Sequence, residues 1–294
     1  MSPPLPKKIA FVTCSTRPNF ASDDLPVVDL LRSNGIEIQP LPWDENSTEW
    51  SLFDLVVVRS CWNYHLYSEK FIQWLNQMES QKVKLFNLVN TVRWNFHKGY
   101  LQELERKGVP LPETIWLKKG ASINLSQLLT EKNWEKAVVK PAISATAFNT
   151  FLVLCSEASQ QQWNFAEQLQ NADTIVQKFM PEVQQEGEWS LIFFDKNFSH
   201  AVIKRPAVKD FRVQNDFGGS AELASPLRFV LEQAQKILSL IDEPLLYARV
   251  DGIVSKNQFL LMELELIEPL LFLVEGKAAT KFADAIMGHL QSTP

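Results

Sequence analysis

The segment from Tyr247 to Leu266 constrains the chain more than any other. It reads Tyr247-Ala-Arg-Val-Asp-Gly-Ile-Val254, a short polar break, then Phe259-Leu-Leu-Met-Glu-Leu-Glu-Leu266. Side chains alternate between the faces of a strand, so Met262, Leu264 and Leu266 fall on one side and Glu263 and Glu265 on the other. In the first run Ala248 and Val250 are the apolar partners, which leaves Arg249 and Asp251 on the polar face. Only an odd hairpin loop, such as Lys256-Asn257-Gln258, superimposes both apolar faces and sets Asp251 opposite Glu263. Three carboxylates then converge. Their mutual repulsion calls for a hard dication, and oxygen donors without His or Cys suit Mg²⁺ or Mn²⁺. The alternative is a solvated hairpin face with Arg249 as ion-pair partner, but Leu-Leu-Met-Glu-Leu-Glu-Leu-Ile is too apolar for an exposed ribbon.

The rest of the chain supplies a frame. Its 294 residues, at ~100–200 per domain, suggest two or three lobes and a cleft between them. Apolar runs at 8–14 and 53–59, rich in β-branched residues, read as strands covered on both faces. Between them 24–34 has helical spacing and stops at Gly35, 36–41 gives a third strand, and 67–80 a second helix with Phe71, Leu75 and Met78 on one stripe. This βαβ pattern predicts an open α/β lobe over residues 1–93, with ligands at the strand C-termini.

A helix over 94–107 ends at Gly108, and Pro110 and Pro112 mark the crossing into an α+β region. Strands at 136–140 and 150–154 flank a polar loop at 143–149, and a helix at 157–170 leads to a strand at 174–180. Strands at 189–194, 198–205, 246–254 and 259–267 make a largely antiparallel sheet, with helices at 227–240 and 275–290. The fold class is therefore α/β plus α+β, with an N-terminal lobe over 1–93 and two further lobes over 94–180 and 181–294.

Several function classes are disfavoured. A net charge of -5 without a Lys/Arg run is unsuited to a phosphodiester backbone, so no nucleic-acid partner is expected. The apolar stretch near 259–274 carries Glu263, Glu265 and Glu268, which hydrocarbon does not accept cheaply, and the N-terminus is too short in apolar residues for a secretory signal. The expectation is a soluble cytoplasmic protein with no membrane partner. Cys14, Cys61 and Cys155 lack CxxC spacing and read as reduced, and the four histidines have no zinc-ligand spacing. Ser15-Thr16-Arg17-Pro18 follows the first strand where a dinucleotide fold has GxGxxG, which disfavours an NAD-type oxidoreductase. The loop Arg59-Ser60-Cys61-Trp62-Asn63-Tyr64 either touches substrate or is plain packing.

The order and spacing of Val138-Val-Lys-Pro141, Ile175-Val-Gln-Lys-Phe179, Gly187-Glu-Trp-Ser190, Arg205, Arg249-Val-Asp251 and Glu263-Leu-Glu265 resemble ATP-grasp ligases of the bacterial glutathione synthetase branch. Ser199-His-Ala-Val-Ile-Lys-Arg-Pro206, Asp210-Phe-Arg-Val-Gln214 and Glu263-Leu-Glu-Leu-Ile-Glu-Pro269, with Arg59-Ser60, Trp62 and Arg93-Trp-Asn95, are similar to O-ureido-serine cyclo-ligases of cycloserine biosynthesis. The likeness covers nearly the whole chain.

The resemblance implies a two-lobed ATP-grasp fold after the N-terminal lobe, ATP with two Mg²⁺ (or Mn²⁺), and activation of a carboxylate as an acyl phosphate. A nitrogen nucleophile would then attack. The substrate would be amino-acid-like or a short peptide, with cyclisation among the options, and a homo-oligomer is compatible. Lys98 and Lys140 would hold ATP phosphates, while Gln177 and the backbone of Lys178 and Phe179 would read the adenine edge. Residues 143–149 would cover the triphosphate, with the hydroxyls of Ser144 and Thr146 replacing the glycines usual there. Asp251, Glu263 and Glu265 would hold the metal; glutathione synthetases generally have Asn at the last position.

Arg249 would stabilise the oxyanion and Arg205 the transferred phosphoryl group, while Lys204 points to the opposite face and takes no role. Arg212 would bind a substrate carboxylate, with Arg59 and Trp62 at the substrate end and Glu268 as support or substrate ligand. A glycine-free loop also leaves open a non-catalytic ATP-binding or regulatory protein on the same fold.

Overall fold

The computed structural model describes residues 6–45, 47–207, 210–213 and 218–291; Met1–Leu5 and Gln214 lie outside them. The β-branched runs near the N-terminus form a parallel sheet. It comprises β1 (Lys8–Thr13), α1 (Leu25–Ser33), β2 (Glu37–Pro42), β3 (Leu55–Val58), α2 (Ser68–Ser80) and β4 (Leu85–Phe86), with strand order β2-β1-β3-β4. Both faces are covered, which is why the strands read as unbroken apolar runs. Ile9, Phe11 and Val57 pack with Val27, Val28 and Leu31 of α1, while Ala10, Val12, Val56 and Val58 pack with Phe71, Trp74, Leu75 and Met78 of α2.

The single helix expected over 94–107 is interrupted. It divides into α3 (Val89–Asn95) and α4 (Tyr100–Arg106). Asn95 donates to the Leu264 carbonyl at 2.8 Å and accepts from the Leu266 N–H at 3.0 Å, and Tyr100 Oη accepts from the Leu264 N–H at 3.0 Å. Residues five apart on one helix point about 140° apart, so both reach the same strand only where the helix is broken. The break carries Lys98.

β5 (Thr114–Leu117), α5 (Leu125–Glu131), β6 (Lys136–Pro141), β7 (Phe151–Leu154), α6 (Gln162–Asn171) and β8 (Thr174–Lys178) build a second, antiparallel sheet of order β5-β8-β6-β7. α7 (Glu182–Gln185), β9 (Glu188–Phe194), β10 (Asn197–Arg205), β11 (Ser220–Leu223), α8 (Arg228–Ser239), β12 (Tyr247–Ser255), β13 (Gln258–Glu265) and α9 (Ala278–Gln291) complete the chain. This third sheet is antiparallel, in order β11-β10-β9-β12-β13. Leu191, Phe193, Ala248, Val250, Leu261 and Leu264 pack against Val230, Ala234, Ile237 and Leu238 of α8. Ile192, Phe194 and Tyr247 instead join Phe282 of α9 and Ile9 of the first sheet in one core. No helix among the described residues is long and apolar enough to cross a membrane.

The β12–β13 hairpin reaches the expected opposition by another route. Ser255 pairs with Gln258, so the loop is Lys256 and Asn257, at φ 49° and 61°, a primed two-residue turn rather than an odd loop. The missing offset comes from a bulge: Gly252 pairs with Leu261 but Asp251 with Glu263, which makes Met262 the extra residue. Leu261 therefore takes the core place expected of Met262, and Met262 faces the cavity beside Glu263. Gly252 has no room for a side chain, since an added Cβ would lie 2.6 Å from the Leu260 carbonyl and closer still to the Phe259 ring.

Candidate active site

The three sheets enclose a cavity of about 740 Å³. The ends of β1 and β3 contribute Cys14, Arg17 and Trp62; β6 and β8 contribute Lys140 and Gln177; β9 to β13 contribute Glu188, Lys204, Arg249, Asp251, Glu263 and Glu265. Every carboxylate at its centre carries a cation partner. Lys98 Nζ is 2.6 Å from Glu263, and Lys204 Nζ is 2.6 Å from Glu188 and 3.1 Å from Asp251. Arg249 holds Asp251 with Nε and Nη2 at 3.0 and 2.9 Å, and its Nη2 also contacts Glu265. Ser190 donates a hydrogen bond to Asp251 at 2.6 Å.

Burial opposes ionisation of Asp251, but Arg249, Lys204 and Ser190 outweigh it and hold the group at about 2. Burial also opposes the charge on Glu263, and Lys98 with Lys140 overcomes it, so that pKa is lowered. Glu265 goes the other way: burial, reinforced by Asp251 and Glu263, lifts it to about 7 despite Arg249. Burial and the Glu265 charge lift Glu268 to about 8. The resident cations thus keep Asp251 and Glu263 ionised but do not offset the burial of Glu265 and Glu268.

Among the described residues no three His, Cys, Asp or Glu side chains stand at metal-ligand spacing, because the acids are shared among Lys98, Lys204 and Arg249. The donor chemistry still fits a hard dication. The candidate donors are oxygen only, Asp251 and Glu263 are directly paired across the hairpin, and added positive charge would favour the ionised form of Glu265, which burial lifts to about 7.

Lys98, Lys140, Ser144, Thr146, Gln177, Lys178, Phe179, Trp62, Arg212 and Glu268 all line this cavity. Lys98 donates to the Ser144 carbonyl at 3.2 Å, which ties the helix break to the 143–149 loop. That loop holds Thr146, Ala147 and Asn149 at φ 51°, 54° and 49° without a glycine. Arg212 is forked onto Asp210 at 2.9 and 3.1 Å. Trp62 donates to the Glu268 carbonyl at 3.1 Å, and Arg17 lies over its ring at 5.2 Å.

Three expectations need correction. Arg205 does not face the cavity; it is 45% exposed at its side chain and pairs with Glu222 at 3.3 Å. Lys204 faces inward instead, because it pairs in register with Glu188 and paired residues share a face. Arg59 is buried away from the cavity, 2.8 Å from Asp24 and against the Tyr247 and Phe282 rings. The groups expected at the adenine edge line the cavity but are partly engaged within the protein. Gln177 is engaged by Lys140 and Thr114 at 3.3 and 3.1 Å, and the N–H groups of Lys178 and Phe179 are taken by the carbonyls of Glu113 and Lys136. Among the described residues the Met180 N–H, at the cavity wall, makes no hydrogen bond.

Among the lining residues, Lys204, Glu188, Met180 and Met262 are groups to which sequence reasoning gave no place at the site. Pairing the 189–194 and 198–205 strands in register would have found the first two.

A parallel sheet followed by two antiparallel sheets that close on a lysine- and carboxylate-lined cavity is the ATP-grasp architecture, and the chain is an ATP-dependent ligase of that class. A D-alanine–D-alanine ligase from Bacillus anthracis, in its structure complexed with ATP, shares the fold with a TM-score of 0.68 at 17% identity, over 97% of each chain. More particularly, the chain is similar to the cycloserine biosynthesis protein DcsG of Streptomyces lavendulae. Identity is 26% over 299 residues, which span 96% of this chain and 99% of that protein. The crystal structure of D-cycloserine synthetase DcsG matches with a TM-score of 0.85 at 25% identity, over 97% of this chain and 100% of that one. Residues 9–87 match the family described as D-cycloserine synthetase DcsG, N-terminal domain.

Proposed function

We propose that this ligase activates a substrate carboxylate as an acyl phosphate and passes it to a nitrogen nucleophile of an amino-acid-like or short-peptide substrate. The observation that carries the reading is the meeting of Lys98, Lys140, Lys204 and Arg249 with Asp251, Glu263 and Glu265 in one cavity. Lys98, Lys140 and Lys204 would bind the triphosphate as point charges, and Lys204 takes the task first given to Arg205. Met180 N–H would read the adenine edge, with Val138, Val183 and Met262 as apolar walls. Asp251, Glu263 and Glu265 would hold two Mg²⁺ ions. When bound there, Mg²⁺ supplies the positive charge that lets a carboxylate approach a polyanion.

A carboxylate oxygen attacks the γ-phosphorus, the bond to the bridging oxygen breaks, and ADP leaves. The nitrogen lone pair then attacks the acyl carbon, phosphate departs and the nitrogen loses a proton. Arg249, held rigidly by Asp251 and by the Leu270 carbonyl at 3.0 Å, offers fixed charge to the oxyanion formed between these steps. Trp62, Glu268 and Arg212 would contact the organic substrate. Likeness to a cycloserine biosynthesis protein favours an intramolecular, ring-closing reaction on a small amino-acid derivative.

The test is a coupled ADP-release assay over amino acids, ureido amino acids and short peptides, with hydroxylamine to trap acyl phosphate. The enzyme is expected to yield substrate-dependent ADP and a hydroxamate, and Glu263→Gln and Glu265→Gln to abolish both while their melting temperatures stay within a few degrees. Undiminished ADP release in both variants would remove the metal assignment.

A further inference from the structure

The segment 266–273, which leaves β13 and leads towards α9, is held from both the first and third sheets. Tyr247 Oη lies 2.7 Å from the carbonyls of Val58 and Ile267, and Trp62 Nε1 holds the Glu268 carbonyl at 3.1 Å. Leu270 offers its carbonyl to Arg249 Nη1 at 3.0 Å. The next residues are gripped from two sides. Asp23 Oδ2 accepts the Leu271 N–H at 3.1 Å and Oδ1 the Leu273 N–H at 2.8 Å, while His200 Nε2 lies 3.0 Å from the Leu271 carbonyl. Between the two bonded amides Phe272 sits at φ 53°. A bulky aromatic residue in the left-handed region is strained and persists only where its surroundings enforce it.

We propose that Asp23, with His200 on the other side of the same residue, is a positioning residue for Arg249: it enforces the left-handed turn at Phe272 and so fixes the Leu270 carbonyl on the guanidinium. The inference rests on the role given to Arg249 above. Asp23 is 7% exposed, so water does not compete for its two amides. Its own place is secured by the neighbouring Asp24, which pairs with buried Arg59 at 2.8 Å. Arg59 therefore anchors the clamp rather than the substrate. Neither Asp23 nor His200 lines the cavity, so neither touches reacting atoms.

Asp23→Asn presents a donor where one amide needs an acceptor. It is expected to lower kcat per titrated active site by about ten- to a hundredfold, the usual scale for displacing a catalytic group by about 1 Å, with KM for ATP within about twofold. His200→Ala, which frees the Leu271 carbonyl, is expected to show the same split at smaller size and serves if Asp23→Asn does not fold. Arg249→Lys alone should lower kcat about a hundredfold or more, and adding Asp23→Asn to it should lower kcat little further. A merely structural role would lower melting temperature and active fraction while leaving kcat per site unchanged; that result in folded Asp23→Asn, or in His200→Ala, overturns the proposal. Wild-type kcat in Arg249→Lys would instead overturn the role of Arg249 itself.

Discussion

Lys204 and Arg205 are neighbours with opposite surroundings. Lys204 is ion-paired to Glu188 and Asp251, with 10% of its side chain exposed, whereas Arg205 lies at the surface on Glu222. Surface pairs of the second kind contribute ~0–1 kcal/mol, while a cation aimed at a transferred phosphoryl group is worth several powers of ten in rate. Lys204→Met is therefore expected to lower kcat about a hundredfold or more, and Arg205→Met to leave kcat and melting temperature nearly unchanged, in parallel steady-state assays. Equal losses in both would return the assignment to Arg205. The residue types of the site were legible: Lys98, Lys140, Arg249, Asp251, Glu263 and Glu265 all reach one cavity. Alternation along one strand could not say which of Lys204 and Arg205 faces inward, because that depends on the register with β9. Arg59 was misread because its partner Asp24 lies 35 positions away.

At the level of elements, the β12–β13 hairpin is the part on which the carboxylates depend. Its bulge puts two consecutive residues, Met262 and Glu263, opposite Asp251, and it needs Gly252 beside it. Gly252→Ala is expected to cost about 1–3 kcal/mol, since neither the Phe259 ring nor the Leu260 backbone can yield without repacking. Urea unfolding would measure it, and a cost within experimental error would mean the bulge is looser than described. The opposition of Asp251 and Glu263 was readable from polarity alone, but the bulge was not, since an odd loop satisfies the same alternation. Elements with strong apolar periodicity, such as α2 and α8, lie within a residue or two of expectation. β5, α5 and β11 were missed because four to seven residues carry too little periodicity. The interruption between α3 and α4 is imposed by hydrogen bonds to β13, which no local pattern records.

Over the whole molecule, three sheets meet at a charge cluster whose titration couples stability to pH. Glu265 and Glu268, at about 7 and about 8, lie above the ordinary carboxyl value, so the folded state keeps protons that the unfolded chain has lost. Their contribution is full below the unfolded value and is lost as pH rises through 7 and 8. Asp251, at about 2, acts in the opposite sense: its contribution is present above the unfolded value and is lost only as pH falls towards 2. Melting temperature without divalent cation is therefore expected to fall between about pH 5 and pH 8. Mg²⁺ with a non-hydrolysable ATP analogue should flatten that fall, because a cation binding the ionised carboxylates stabilises the folded state. A melting temperature that rises over this range without metal would contradict the charge balance described.

The most direct measurement is Mn²⁺ binding to the intact chain followed by electron paramagnetic resonance, with and without the ATP analogue. The account predicts analogue-dependent Mn²⁺ binding that approaches two ions per chain and is lost in Glu263→Gln while the variant remains folded. Mn²⁺ binding by the folded variant indistinguishable from that of the parent chain would contradict it.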